Sequence, residues 1–156
     1  IQNIEKEVRI IAHELNNNKF SKKNSFENLL KELLYEQNKL FPAESKYTLD
    51  ESINWDKMDG SIKMNLYRIL QESLNNCNKY AEAEEILISI SKDENKMIAL
   101  TIQDNGIGFN VNKTKKGIGI KNIYERVEAI GGKIEINSVI NSGTIIKIKF
   151  PFTTKI

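Results

Sequence analysis

The chain has 156 residues, of which 40% are hydrophobic and 28% charged, a balance typical of a soluble globular protein with a packed core. Its formal net charge of +2, without an arginine cluster, is too small to indicate a nucleic-acid-binding surface. One cysteine and one histidine exclude an internal disulfide and a Cys/His structural zinc site, and the lack of a long apolar run or signal peptide predicts a cytoplasmic protein.

The first 41 residues predict two helices, each with one apolar face. The start at Ile1 rather than Met indicates a segment of a longer protein. Two short helices cannot enclose a core, so residues 1–41 predict a helical hairpin that pairs with a second copy as a four-helix bundle, which makes the protein a homodimer. The apolar positions are Ile4, Val8, Ile11 and Leu15 in the first helix, and Phe26, Leu29, Leu30, Leu33, Leu34 and Leu40 in the second.

After a linker around Pro42, residues 42–156 predict an α+β domain of two layers. Strands are expected at about residues 47–55, 85–92, 96–103, 133–138 and 143–150, and helices at 60–80 and 118–130. Apolar residues alternate along the later strands, so one sheet face is expected under the helices and the other in water. The residues predicted to point inward are Ile86, Ile88, Ile90, Ile98, Leu100, Ile102, Ile146, Ile148 and Phe150.

Two glycine-containing stretches follow apolar segments. In "DNGIGF", Gly106 and Gly108 allow close backbone approach, and the Asp104 carboxylate is a suitable acceptor for the exocyclic amine of an adenine. In "KGIGIKN", residues 116–122, glycines precede a helix start, which favours an anion, although the lysine stands before the glycines and the stretch is not a Walker loop. Taken singly, each stretch is also compatible with an ordinary turn.

The helix containing "RILQESLNNCNKYA" has two distinct faces. Leu66, Ile69, Leu70, Leu74 and Cys77 form its buried side, whereas Glu72, Asn76, Lys79 and Tyr80 recur at successive turns of another face. An asparagine amide oxygen can complete the coordination shell of a phosphate-bound magnesium ion, and an ammonium group can neutralise phosphate charge. The alternative interpretation is a solvated amphipathic face.

The order and spacing of these three stretches resemble the N box and two glycine boxes of the catalytic ATP-binding domain of sensor histidine kinases, over about residues 47–151. The resemblance implies a Bergerat-type fold that binds ATP and Mg2+. The interval 109–116 is short, as in the short-lid kinases that act on LuxR/NarL-type response regulators, and Tyr80 and Ile120 depart from the family's usual histidine and leucine. By the resemblance, the binding residues are Asn76 (magnesium), Lys79 and Tyr80 (phosphates), Asp104 and Thr144 (adenine), and Gly106, Gly108, Gly117 and Gly119 (lid), with Glu72 as the acid one turn before Asn76.

The single histidine lies opposite the apolar stripe of the first helix, in the sequence "HELNN". This stretch resembles the H-E/D-x-x-N/T phosphoacceptor motif of histidine kinases, which implies that His13 is the nucleophile, Glu14 its base and Asn17 the amide that positions water during dephosphorylation of the partner. In a competing register, Asn16 occupies the place of the family's histidine, and the kinase is inactive.

The resemblance therefore implies an enzyme, an ATP-dependent protein histidine kinase. It would phosphorylate His13 and pass the phosphoryl group to an aspartate of a response regulator receiver domain, as a homodimer without nucleic-acid or membrane contact by this segment. A nucleotide-binding scaffold without kinase activity is the second hypothesis. A third is another member of the same ATPase superfamily, such as an anti-sigma serine kinase, which the N-terminal hairpin with its exposed histidine disfavours.

Overall fold

In the described part of the chain, a five-stranded mixed sheet packs against three α-helices. The structure is a computed structural model that describes residues 25–111 and 118–153, and within these ranges no helix is both long and apolar enough to cross a bilayer. The strand order is β1-β2-β3-β5-β4, with β1 parallel to β2 and all other neighbours antiparallel. The elements are α1 (Ser25–Leu40), β1 (Glu44–Leu49), a 3-10 turn (Trp55–Lys57), α2 (Gly60–Asn76), a π-helical turn (Cys77–Ala81), β2 (Glu85–Lys92), β3 (Met97–Asp104), α3 (Ile118–Ala129), β4 (Lys133–Val139) and β5 (Gly143–Pro151).

The alternation along the strands places one apolar face against the helices. Ile88 pairs with Ile102, and Leu100 pairs with Ile148, so that apolar residues of neighbouring strands lie side by side in the core. Lys147 and Lys149 on β5 are exposed on the other face. The predicted two-layer α+β arrangement is confirmed, although Ile146 is only half-buried.

Helix α2 begins at a side-chain cap and ends in a wider turn. The Asp59 carboxylate accepts a hydrogen bond from the Ser61 N–H at 2.8 Å, which satisfies one of the free amides of the first turn. The predicted helix 60–80 is α-helical only to Asn76, because Cys77–Ala81 adopt the π form and Glu82, at φ 49°, ends the segment. Such turns often occur at functional sites.

The first strand differs from its predicted position at residues 47–55. Strand β1 starts three residues earlier, at Glu44, and its parallel register with β2 pairs Tyr47 with Ile88. It stops at Asp50 because that carboxylate accepts hydrogen bonds from the backbone N–H groups of Ser52 and Lys92, at 2.8 and 3.0 Å, and so turns the chain.

Helix α1, predicted as part of the helical hairpin of residues 1–41, packs against the sheet domain of its own chain. The Phe26 ring lies 5.2 Å from that of Trp55, centroid to centroid, and Leu30 and Leu34 are buried in the same core. The Ser45 hydroxyl at the start of β1 donates to the Leu34 carbonyl at 3.4 Å. Helical spacing shows that one face is buried but not which partner buries it, so the same pattern suits a bundle or a sheet domain. The first predicted helix lies outside the described residues.

Phe26→Ala is therefore expected to destabilise a single chain. Removal of a buried phenylalanine ring typically lowers the free energy of unfolding by about 3–5 kcal/mol. Tyr35→Ala on the exposed side of α1, where the side chain is 65% exposed, is the matched control and should change it by less than about 0.5 kcal/mol. Chemical denaturation at several protein concentrations measures both; a Phe26→Ala effect that appears only at dimer-forming concentrations would assign this face to a subunit interface.

Candidate functional site

Asp104 ends strand β3 at the edge of the core and is only 6% exposed. Its Oδ1 accepts a hydrogen bond from the Gly106 N–H at 2.9 Å, and its Oδ2 accepts one from the Cys77 thiol at 3.7 Å. Thr144 on β5 pairs with Asp104 across the sheet. The structure thus brings together the two side chains predicted to contact adenine, Asp104 and Thr144.

The glycine loop after β3 fits tightly between two other segments. A Cβ atom at Gly106 would overlap the Ala81 carbonyl oxygen, which accepts a hydrogen bond from the Ile107 N–H at 2.7 Å. Gly108 has φ +61°, and a Cβ atom there would overlap the carbonyl of Val139. Both predicted glycines are therefore required by backbone approach, and Gly108 by its conformation as well.

Glu72 and Asn76 lie one turn apart on α2 and face the first turn of α3. An ideal Cβ at Gly119 would lie 3.0 Å from Asn76 Oδ1 and 3.1 Å from Glu72 Oε2. Both side chains are half-buried, and an oxygen atom of each lies close to the first turn of α3. The first predicted glycine of this box, Gly117, lies outside the described residues.

The π-helical turn presents Lys79 and Tyr80 to solvent, with Tyr80 69% exposed. On the inner side of α2, Arg126 of α3 donates to the Asn65 side chain at 3.2 Å. Burial and the nearby Arg68 charge lower the pKa of Arg126, and Glu72 partly offsets this shift.

Three of the predicted catalytic residues, His13, Glu14 and Asn17, lie outside the described residues. Within residues 25–111 and 118–153, no group of three or more His, Cys, Asp or Glu side chains could hold a metal ion. Magnesium commonly takes most of its ligands from phosphates and water, and the side-chain oxygen of Asn76 is a suitable protein ligand for such a site.

The family model of histidine kinase-, DNA gyrase B- and HSP90-like ATPases matches residues 62–154, which include α2 from its third residue onward, both glycine boxes and Thr144. This chain belongs to that ATPase family. Membership of this family means that the domain binds ATP.

Curated relatives of this ATPase domain are sensor kinases. It is 36% identical over 99 residues to the oxygen sensor histidine kinase NreB of Staphylococcus carnosus, covering 62% of this chain and 28% of the relative. It is 46% identical over 97 residues to the sensor histidine kinase YdfH of Bacillus subtilis, covering 60% and 24% respectively. The chain thus spans about a quarter of the length of these relatives.

Solved histidine kinase structures share the fold of this ATPase domain. The histidine kinase domain of the Erythrobacter litoralis EL346 blue-light activated kinase superposes with a TM-score of 0.75 at 14% sequence identity, over 94% of this chain and 74% of that chain. Acinetobacter baumannii AdeS superposes with a TM-score of 0.64 at 17% identity, over 94% of this chain and 76% of that chain.

Three sets of contacts around the candidate site could not be predicted from local sequence patterns. The Ser138 hydroxyl accepts from the Phe109 N–H at 2.8 Å and lies 2.8 Å from Thr144 Oγ1, so it joins the glycine loop to β5. Asn105 Oδ1 accepts from two N–H groups at the start of β2, both at 2.9 Å. Cys77 fits the predicted buried side of α2, but its contact with Asp104 depends on tertiary structure.

Gly119→Ala tests the close approach of α3 to α2. The added methyl group would press on Asn76 and Glu72, and overpacking typically costs about 1–3 kcal/mol. We expect Mg-ATP affinity to fall roughly tenfold, with the fold preserved because alanine favours the helix. Gly60→Ala is the matched control, since no atom lies within 4 Å of its ideal Cβ. Equal calorimetric affinities for the two variants would contradict the contact.

Proposed function

We propose that this chain is the kinase core of a cytoplasmic sensor histidine kinase, which uses Mg-ATP to phosphorylate His13 and then an aspartate of a response regulator. The observation that carries the proposal is a set of contacts: the buried Asp104 carboxylate accepts from the glycine loop after β3, and Asn76 and Glu72 on α2 closely approach Gly119 of α3. The similarity to the sensor histidine kinases NreB and YdfH supports the same activity.

Asp104 recognises the base. Its buried carboxylate accepts a hydrogen bond from the exocyclic amine of adenine through one oxygen. The Gly106 N–H donates a hydrogen bond to the other oxygen. Thr144, fixed by Ser138, lies beside it and completes the polar wall of the adenine site. The glycine loop permits the base to approach the backbone.

The face of α2 opposite the start of α3 would take the triphosphate. Asn76 would hold Mg2+, whose charge would neutralise the phosphates during transfer. Lys79 and Tyr80, which are exposed on the π-helical turn, contact the phosphates, and Gly117 and Gly119 supply backbone N–H groups at the start of α3. Glu72, one turn before Asn76, acts at the end of the triphosphate from which the phosphoryl group is transferred.

His13 accepts the γ-phosphoryl group. A lone pair on one ring nitrogen forms a bond to the γ-phosphorus, the bond from that phosphorus to the bridging oxygen breaks, and ADP leaves. Glu14 accepts the proton of the other ring nitrogen, and Asn17 positions water when the regulator is dephosphorylated. The short interval 109–116 favours a receiver domain of the LuxR/NarL type as the partner.

We propose that residues 1–41 contribute the dimerisation and phosphotransfer part of the chain. Helix α1 buries its own apolar face within the chain, so the stripe of Ile4, Val8, Ile11 and Leu15 is the surface left to pair with a second copy. This arrangement makes the active form a homodimer.

Asp104→Asn tests base recognition. An amide can present a donor to the adenine amine, and loss of a hydrogen bond to a charged group costs about 1.5–3 kcal/mol, so ATP affinity should fall roughly ten- to a hundredfold. Asp56→Asn on the exposed 3-10 turn is the matched control and should bind normally. Calorimetric titration measures both variants; unchanged affinity in Asp104→Asn would remove Asp104 from the site.

Labelled ATP tests the phosphoacceptor. Wild-type protein should acquire acid-labile, base-stable phosphate, and His13→Gln should eliminate the label while ATP affinity changes by less than about twofold, or ~0.5 kcal/mol. Glu14→Gln should slow labelling by roughly 10²–10⁴-fold, as expected for loss of a positioned base. Asn17→Ala should spare labelling and impair dephosphorylation of the regulator.

Two other results of the labelling experiment would reject this assignment. Wild-type protein that binds ATP but never acquires label would favour the Asn16 register and a nucleotide-binding scaffold. Label that persists in His13→Gln would place the acceptor on a different residue type, because the chain has a single histidine.

A further inference from the structure

A buried thiol contacts the carboxylate that ends β3. The Sγ atom of Cys77 lies 3.7 Å from Asp104 Oδ2, and both residues are at least nine-tenths buried. The Gly106 N–H donates to Oδ1 of the same carboxylate at 2.9 Å. Each carboxylate oxygen thus has its own donor, one from the π-helical turn and one from the glycine loop. Together the two donors orient the Asp104 carboxylate.

The thiol keeps its proton at neutral pH. Burial, together with the negative charge of Asp104, raises the pKa of Cys77 to about 12. An S–H group in this state is a weak donor and a poor nucleophile, since the thiolate is the reactive form. The contact therefore suits a lasting hydrogen bond rather than redox or metal chemistry.

Cys77 also belongs to the π-helical turn, which contacts the glycine loop at a second point. It is the first residue of the π-helical turn, and the last residue of that turn, Ala81, accepts the Ile107 N–H at 2.7 Å. The same turn thus contacts the loop through a side chain at one end and a carbonyl at the other. Cys77 contacts the carboxylate through its side chain, whereas Ala81 contacts the loop through its backbone.

We infer that Cys77 is a positioning residue for base recognition: its thiol donates to Asp104 Oδ2 and so directs the remaining acceptor capacity of the carboxylate toward the 6-amino group of adenine. This inference rests on the proposed role of Asp104. It predicts that Cys77 affects binding only through that amine, which separates positioning from simple packing of the helix.

The test compares two nucleotides in three variants of the full chain. Cys77→Ala removes the donor and should weaken ATP binding about three- to tenfold, whereas Cys77→Ser keeps a donor and should lose less. Purine riboside triphosphate lacks the 6-amino group, so its affinity should be the same in wild type and Cys77→Ala. Ile69→Val, which trims another fully buried side chain of α2, controls for lost packing and should leave the ratio of the two affinities unchanged.

Asp104→Asn distinguishes failure of the inference from failure of the proposed function. If Asp104→Asn weakens ATP binding and Cys77→Ala does not, or if Cys77→Ala weakens both nucleotides equally, the positioning role is overturned while the function stands. If Asp104→Asn binds ATP normally, the proposed base recognition fails as well. Positioning further requires that Cys77→Ala add no loss in the Asp104→Asn background, because the two residues would act as one unit.

Discussion

The nucleotide site depends on one close approach, between the end of the α2 segment and the loop after β3. The Ile107 N–H donates to the Ala81 carbonyl at 2.7 Å, and a Cβ atom at Gly106 would overlap that same carbonyl. Ile107 can form this hydrogen bond only because the preceding residue, Gly106, has no side chain to overlap the Ala81 carbonyl. The glycine therefore sets the distance between the helix and the end of the sheet.

This distance determines which side chains can share a ligand. Asp104 and Gly106 belong to the sheet side, whereas Asn76 and Glu72 belong to α2, and the π-helical turn joins the two groups along the chain. The buried faces of α2 and β3 hold both elements rigidly, because Leu66, Leu100 and Ile102 pack in one core. The wide helical turn at the edge of this core thus connects the residues proposed to contact the phosphates with those proposed to contact the base.

The parts predicted from sequence are those encoded by local patterns. Alternation of apolar and polar residues in "EILISISK" and "MIALTIQD" indicates directly that one face of each strand is buried. The glycines of "DNGIGF" indicate a constraint on the backbone. The position of β1 was not predictable, because a parallel partner 41 residues away leaves no local signal, as in the pairing of Tyr47 with Ile88. The partner of α1 was equally hidden, since Phe26 and Leu30 would show the same spacing against a second chain.

Cys77 shows how one residue can satisfy a local pattern and still carry information that the pattern lacks. Its helical position requires a small apolar group, and a thiol is small and apolar enough to be buried. Asp104 is buried beside it, and a buried carboxylate needs donors to offset the loss of water. The Gly106 N–H and the thiol supply two. A carboxylate oxygen accepts more than one hydrogen bond, so the group that is satisfied within the fold still has acceptor capacity for a ligand.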